Sequence, residues 1–145
     1  MNINDRNDRV RANTSQSVNS EIDQQIADRL GQYEGKTPGE ISGRIRELER
    51  EWDVERLLEM NASGLAFGGL LMGVLNNKKW LVIPGIVLPF LFQHAVQGWC
   101  PPLPVLRRLG VRTREEIDRE KYALKALRGD FEDVTGPHQA ERASR

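Results

Sequence analysis

The sequence predicts an all-α membrane protein, in which a two-span transmembrane helical hairpin is flanked by amphipathic cytoplasmic helices. Three observations favour this fold class. Residues 1–60 hold 9 basic and 13 acidic side chains and residues 101–145 hold 10 and 8, whereas the 47 residues Met60–Leu106 carry only two charges. Both of those charges are lysines at one turn. The turn divides the apolar region into two stretches, each long enough for a membrane helix.

The two apolar stretches differ in length. Met60–Asn77 has 18 residues without a charge, which is roughly 27 Å of helix against a hydrocarbon core of about 30 Å. Trp80–Leu106 has 27 residues without a charge. The turn Asn76–Lys79 is so short that the two helices must be antiparallel. A pair of buried helices in a soluble protein is the alternative, which the scarcity of apolar residues elsewhere in the chain disfavours.

The flanks of this region differ in character. Residues 1–15 and 132–145 are polar, with little apolar surface to bury, and are predicted to be disordered. Residues 16–59 are predicted to form cytoplasmic amphipathic helices, and residues 113–131 form a further one. Residues 60–106 then contain the hairpin and its proline-rich exit.

Two helical patterns occupy residues 16–59. The first pattern begins at Ser20, a suitable N-cap, and ends near Gly35. The second begins at a capping box formed by Thr37 and Glu40, with Pro38 at the first helical position. Apolar residues repeat with the helical period in both patterns, at Ile22, Ile26, Leu30 and Tyr33 and at Ile41, Ile45, Leu48 and Trp52.

The apolar stripe of the second helix has three interpretations. It could form a coiled-coil seam, lie in the lipid headgroups as an interfacial helix, or pack on the preceding helix, which is the interpretation we favour. No Gly or Pro interrupts residues 44–62. This helix is therefore expected to be able to run directly into the first span.

The helix in residues 113–131 has its own start and stop signals. Thr113 and Glu116 form a second capping box, and Gly129 marks the end of the helix. Its apolar stripe comprises Ile117, Leu124, Leu127 and Phe131.

Small residues form two faces on the first span. One face contains Ala62, Ala66, Gly69 and Gly73, and the other contains Gly64 and Gly68. Small residues let helix backbones approach closely in a membrane, where lipid gives apolar helices no hydrophobic drive to associate. Two faces indicate two contacts, one with the second span and one with another protomer. The alternative is that only the contact within the hairpin exists.

Polar residues gather near the end of the second span. Gln93, Gln97 and Cys100 fall within one sector of a helical wheel, with His94 at its edge. Polar side chains at membrane depth need partners and often mark functional pathways. We therefore take these four residues as a candidate functional polar patch, although simple hydrogen bonding across the helices is the more ordinary interpretation. One His and one Cys six residues apart are a weak signal for a metal or a nucleophile.

Basic residues on both sides of the hairpin predict its orientation. Arginines precede the first span and follow the second, so both termini are expected in the cytoplasm. Four arginines after the second span are predicted to contact anionic lipid headgroups, namely Arg107, Arg108, Arg112 and Arg114. The three prolines between positions 101 and 104 end the helix and leave Cys100 as an accessible thiol at the exit. Nearby arginines could lower the pKa of that thiol.

The exit of the second span also carries a family resemblance. Gly98-Trp99-Cys100-Pro101, followed by Leu109-Gly110-Val111-Arg112-Thr113, resembles the Cys-Pro…Leu-Gly-x-x-Thr ending of the YgaP-like transmembrane domain family. The resemblance covers about Asn61–Thr113. It implies a two-helix hairpin that homodimerises in members fused to a rhodanese domain, which handles sulfane sulfur. This chain shows no α/β pattern and no second cysteine, so it is expected to be a stand-alone variant.

The sequence therefore predicts a small integral protein of a bacterial-type inner membrane, acting as a non-enzymatic module for oligomerisation or interaction. Its expected partners are the lipid bilayer, further copies of itself and a cytoplasmic protein. The balance of 21 basic and 21 acidic residues gives no reason to expect nucleic acid, and no catalytic, cofactor or metal residue is predicted. The alternatives are a thiol or sulfur-handling accessory protein centred on Cys100, and a small pore or exporter subunit lined by Gln93, His94 and Gln97.

Overall fold

A computed structural model describes residues 8–132 and 134–144, and over this part of the chain all regular secondary structure is helical. The helices are α1 Arg9–Ala12, α2 Gln16–Gln32, α3 Pro38–Arg50, α4 Val54–Leu75, α5 Val82–Gln97, α6 Leu103–Arg108, α7 Arg114–Arg128 and α8 Pro137–Ser144. A 3-10 turn, Lys78–Leu81, joins α4 to α5. The chain divides into two compact units. We call Met1–Asn19 with Trp52–Thr113 the hairpin unit, and Ser20–Glu51 with Arg114–Arg145 the bundle unit.

The bundle unit contains the core that the apolar stripes predict. The Thr37 hydroxyl accepts a hydrogen bond from the Glu40 amide, and the Glu40 carboxylate accepts one from the Thr37 amide, which confirms the capping box. α3 then buries three apolar side chains against two from α7, and part of α2 closes the cluster. The members are Ile41, Ile45, Leu48, Ile117 and Leu124, with Leu30 and Tyr33 partly buried beside them. The α3 stripe therefore packs within the chain, but its main partner is α7 and not the preceding helix that we expected, which contributes only the partly buried Leu30.

A buried carboxylate links three helices of the bundle unit. The Glu120 side chain is 1 % exposed and accepts hydrogen bonds from the Arg44 guanidinium at 3.0 and 2.9 Å and from Arg29 at 3.3 Å. A buried charge is tolerated only when it is paired in this way. Glu120 therefore joins α7 to α2 and α3, a connection that no sequence pattern indicated.

Two predicted features of the bundle unit differ in the structure. Leu127 and Phe131 are 51 % and 39 % exposed, because the inward face of α7 is made by Ile117, Glu120 and Leu124. The tail predicted to be disordered contains α8, which contacts α7 through hydrogen bonds from Lys125 to the Ala143 carbonyl and from Tyr122 to the Ser144 carbonyl. The parts of that prediction at positions 133 and 145 lie outside the described residues.

Two helix starts also differ from those expected. α2 begins at Gln16 and not after Ser20, although Gly35, with φ +74°, follows its end as predicted. α3 does not run into the first span. The backbone leaves the helix at Glu51, and the Asp53 carboxylate accepts a hydrogen bond from the Arg56 amide at 2.8 Å, which caps α4 as a new helix.

The hairpin unit is organised by α4 and α5. A Cβ built on Gly69 would lie 2.7 Å from Pro84, and one built on Gly73 would lie 2.8 Å from Cγ of Leu81. The earlier position on α4, Gly69, therefore contacts a later residue than Gly73 does. This order shows that the two helices run antiparallel. Two helical stretches, one within Pro38–Leu75 that includes α4 and one over Lys78–Gln97 that joins the 3-10 turn to α5, are long and apolar enough to cross a membrane. Their large apolar side chains are mostly exposed, including Leu65, Phe67, Leu71, Val74, Val82, Ile86, Phe92 and Val96.

Candidate functional site

The predicted site lies at the open end of the hairpin, where α5 finishes. Gly98 adopts φ +72° and donates its amide to the His94 carbonyl at 2.7 Å, which ends the helix. Two side chains from the N-terminal segment then satisfy further carbonyls of the last turn. The Arg9 guanidinium donates to the Ala95 carbonyl, and the Asn13 amide donates to the Gln97 carbonyl at 2.9 Å. A cation at a helix C-terminus is favourable because it opposes the negative end of the helix dipole.

This capping segment falls within residues 1–15, which were predicted to be disordered. Residues 1–7 lie outside the described residues, and from Asp8 onward the prediction is wrong. The Asp8 carboxylate accepts hydrogen bonds from the amides of Val10 and Arg11, both at 2.9 Å, and from the Thr113 hydroxyl at 2.6 Å. A helix N-cap and a long-range contact therefore share one carboxylate. The only sequence signal was an Asp placed before a short run that contains one apolar residue.

The four residues of the polar patch have different environments. The side chain of Gln93 donates to that of Gln97 at 3.4 Å, and the Gln97 side chain is exposed. His94 is 8 % exposed, and its Nδ1 atom has no hydrogen-bond partner. Only the two glutamines are joined by a contact between their side chains.

Cys100 lies apart from the exposed glutamines, inside an apolar cluster. It is 4 % exposed and packs with Val10, Val54, Leu58 and Leu103. Burial raises the pKa of the Cys100 thiol, which stands beyond the end of α5. The expectation of an accessible thiol with a lowered pKa is therefore wrong, because an apolar cavity disfavours the thiolate. This geometry gives no support to thiol chemistry at Cys100.

The four arginines predicted to meet lipid headgroups separate into two pairs. Arg108 and Arg114 are exposed, but Arg107 is 1 % and Arg112 is 2 % exposed. The Arg107 guanidinium donates to the Asn19 side chain and to the Val111 carbonyl, both at 3.0 Å. A third bond joins it to the Thr14 hydroxyl at 3.3 Å. The prediction that Arg107 and Arg112 contact lipid headgroups is therefore wrong, because both side chains are buried inside the fold.

The small residues of α4 separate into contacting and open positions. Gly69 and Gly73 are buried against α5 and the 3-10 turn, and Ala62 and Ala66 on the same face are partly buried. No atom outside the local helix lies within 4 Å of a Cβ placed on Gly64 or Gly68. Over residues 8–132 and 134–144, therefore, a helix packs on the first of the two predicted faces and none packs on the second.

At the open end of the hairpin, Arg9 and Asn13 hydrogen-bond the last turn of α5, and Cys100 is buried among apolar side chains. Over residues 8–132 and 134–144, no group of three or more His, Cys, Asp or Glu side chains is placed to hold a metal ion. The chain matches no protein-family model, no curated protein and no solved structure. The function proposed below therefore depends on the geometry of the molecule itself.

Proposed function

We propose that this protein is a non-enzymatic membrane module, in which the hairpin of α4 and α5 crosses the bilayer and anchors the charged bundle unit at the membrane surface. One observation carries the proposal. The small residues Gly69 and Gly73 face inward between α4 and α5, while large apolar side chains such as Phe67 and Phe92 are 67 % and 73 % exposed. This distribution suits a lipid solvent, because bulky apolar groups favour acyl chains and small groups permit close helix packing.

The charges at the two ends of the hairpin support an orientation. The turn carries two basic residues, Lys78 and Lys79, whereas the sequence at the other end of the hairpin carries eight, namely Arg44, Arg46, Arg50, Arg56, Arg107, Arg108, Arg112 and Arg114. Basic residues concentrate on the cytoplasmic side of bacterial inner membranes. Both termini are accordingly proposed to lie in the cytoplasm, with the turn outside.

A second copy of the chain is the partner that we propose for the open face of α4. Gly64 and Gly68 leave a surface without a Cβ on this face, and nothing in the described chain packs there. Another helix could approach this surface closely, as in small-residue dimers. The module would then assemble as a homodimer or higher oligomer and present the bundle unit to a cytoplasmic protein.

The experiment that tests the anchoring is extraction and labelling in native membranes. The protein should stay in the membrane fraction after alkaline carbonate treatment. Cysteines introduced as Asn77→Cys and Ser144→Cys, in a Cys100→Ser background, should react with an impermeant reagent from opposite sides. Release by carbonate, or labelling of both cysteines from one side, would overturn the proposal.

Oligomerisation is tested separately. Crosslinking in vesicles should give dimers for the wild type and fewer dimers for the double variant Gly64→Leu/Gly68→Leu. Gly85→Leu is the control and should give as many dimers as the wild type, because its position on α5 is also open. Monomers alone, in both lipid and mild detergent, would refute assembly and leave the anchoring intact.

A further inference from the structure

The helix α6 has an exposed apolar face that the hairpin proposal does not use. Leu103 and Arg107 are fully buried on one side of this helix, while Val105 is 59 % and Leu109 is 74 % exposed on the opposite side. Arg108 is exposed beside them. This face is therefore apolar with one cation at its edge, which is the pattern of a helix that lies in the plane of a membrane surface.

The depth of α6 follows from where it packs on α4. The buried Leu103 contacts a cluster that contains Val54 and Leu58, in the first two turns of α4. At 1.5 Å per residue these residues lie about 31 and about 25 Å along the axis from Leu75, where α4 ends at the polar turn. The hydrocarbon core is about 30 Å thick. If the polar turn lies at one membrane boundary, α6 lies at the other.

Two neighbouring features support a boundary at this level. Trp52 lies two residues before the start of α4, is 42 % exposed, and has the Arg56 guanidinium 4.6 Å from its ring centroid. Tryptophan is enriched where hydrocarbon meets headgroups. On the other side of the hairpin, α5 ends at Gln97 and α6 begins only six residues later, so α6 starts soon after the chain leaves the second apolar helix.

We infer that α6 is an interfacial anchor, whose Val105 and Leu109 enter the acyl boundary while Arg108 binds the phosphate of an anionic lipid. This inference rests on the proposed membrane hairpin and adds the lipid class and the residues that recognise it. Arg107 is the internal comparison. It is adjacent in sequence but faces inward, where it holds the N-terminal segment, so only one of the two arginines meets lipid.

The test uses a fluorescent probe attached at single cysteines in a Cys100→Ser background. Leu109→Cys is the test site. Phe67→Cys on the exposed surface of α4 is the positive control, and Gln24→Cys, exposed on α2, is the reference for a probe in the charged bundle. The protein is reconstituted in phosphatidylcholine vesicles with and without phosphatidylglycerol. We expect a blue-shifted probe at Leu109 that is quenched by shallow nitroxide lipids and shielded from iodide.

The charge is tested with Arg108→Gln. Enrichment of phosphatidylglycerol around the protein, measured with spin-labelled lipid, should fall by up to about fivefold, which corresponds to about 1 kcal/mol per cation near the surface. The matched control Arg46→Gln removes an exposed arginine from α3 and should leave this enrichment unchanged. An equal loss in both variants would overturn the role of Arg108.

The outcomes separate this inference from the proposed function. Lipid quenching at Phe67 without quenching at Leu109 overturns the interfacial anchor and keeps the hairpin in the bilayer. A probe at Leu109 that is shielded from iodide but not quenched by lipid shows a protein cover, such as a second copy, and also overturns the inference. Loss of lipid quenching at Phe67 would instead refute the proposed function itself.

Discussion

In the bundle unit Leu48 and Leu124 are fully buried and charged side chains cover the surface, whereas in the hairpin unit Gly69 and Gly73 are buried and Phe67 and Phe92 are exposed. The bundle unit follows the rule for water-soluble domains. Between α4 and α5 the hairpin unit reverses it, because bulky apolar side chains face outward and the helices meet through small residues. One chain of 145 residues therefore combines two kinds of helix packing, and the second suits the lipid environment that we propose for the hairpin.

Both units also bury charged side chains against polar partners. In the bundle unit Glu120 pairs with Arg44 and Arg29. In the hairpin unit Arg107 donates hydrogen bonds to oxygens of Asn19, Thr14 and Val111. The first arrangement joins helices of one bundle, and the second ties the N-terminal segment to the exit of the hairpin.

Loss of the buried Glu120 carboxylate should give the largest decrease in the free energy of unfolding. Glu120→Gln removes the negative charge that Arg44 and Arg29 share at a buried position, and we expect the free energy of unfolding of the bundle unit to fall by about 3 kcal/mol. Urea denaturation in mild detergent, followed by circular dichroism, measures this change. The control Glu47→Gln removes another partner of Arg44 whose side chain is 69 % exposed, and it should cost less than about 1 kcal/mol. Similar losses in the two variants would contradict the assignment.

Overpacking the inner face of the hairpin should be the next largest effect. Gly73→Leu places side-chain atoms where Leu81 already lies, and we expect a loss of about 1–3 kcal/mol. All three tryptophans belong to the hairpin unit, so tryptophan fluorescence during thermal unfolding in detergent reports on this unit. Gly85→Leu, at an open position on α5 outside the proposed dimer face, is the matched control. A loss for Gly85→Leu as large as that for Gly73→Leu would contradict the assignment of Gly73 to the packed face.

Removal of the N-cap of α3 should lower the free energy of unfolding of the bundle unit by a smaller amount. Thr37→Ala deletes the hydroxyl that accepts a hydrogen bond from the Glu40 amide. The free energy of unfolding of the bundle unit should fall by about 1 kcal/mol in the same urea experiment. Ser20→Ala is the control, since Ser20 lies inside α2 and is exposed. It should be neutral or slightly stabilising, because alanine favours helix interiors. Destabilisation by Ser20→Ala comparable to that by Thr37→Ala would restore Ser20 as a helix cap.

The smallest expected effect is a loss of stability at low pH that depends on Asp130. The hydrogen bonds from Arg128 hold the pKa of the Asp130 carboxyl below its ordinary value of 3.8. The folded state therefore favours the charged form, so this contribution is present above pH 3.8 and is lost as the pH falls through the lower folded value. The free energy of unfolding of wild type should exceed that of Asp130→Asn by at most about 1 kcal/mol near pH 6, with the difference vanishing in acid. A difference that does not change with pH would exclude this linkage.

The elements that the sequence predicted well depend on local or compositional signals. The capping box of Thr37 and Glu40 lies within four residues, and the two apolar helices follow from uncharged stretches on either side of the turn. The missed features depend on distant partners. Asp8 contacts Thr113, Asn13 contacts Gln97 and Arg107 contacts Asn19, and no pattern in the neighbouring residues identifies such pairs.

The same division explains the arginines after the hairpin. Arg107 and Arg108 have the same side chain and adjacent positions, so composition assigns them one role. The structure separates them because α6 packs through Leu103, and a helical residue four positions away must face the same side. Cys100 is a similar case, since the apolar residues that bury it come from three other segments of the chain.

By itself the sequence determined that the protein is helical and that two of its helices are apolar enough to cross a membrane, because charge content and helical period are properties of contiguous residues. Only the tertiary structure decided which polar groups are buried, that Arg9 and Asn13 cap α5, and that α3 ends before α4 begins. These features arise where segments distant in sequence satisfy each other's hydrogen bonds, and a buried polar group is stable only when such partners are in place.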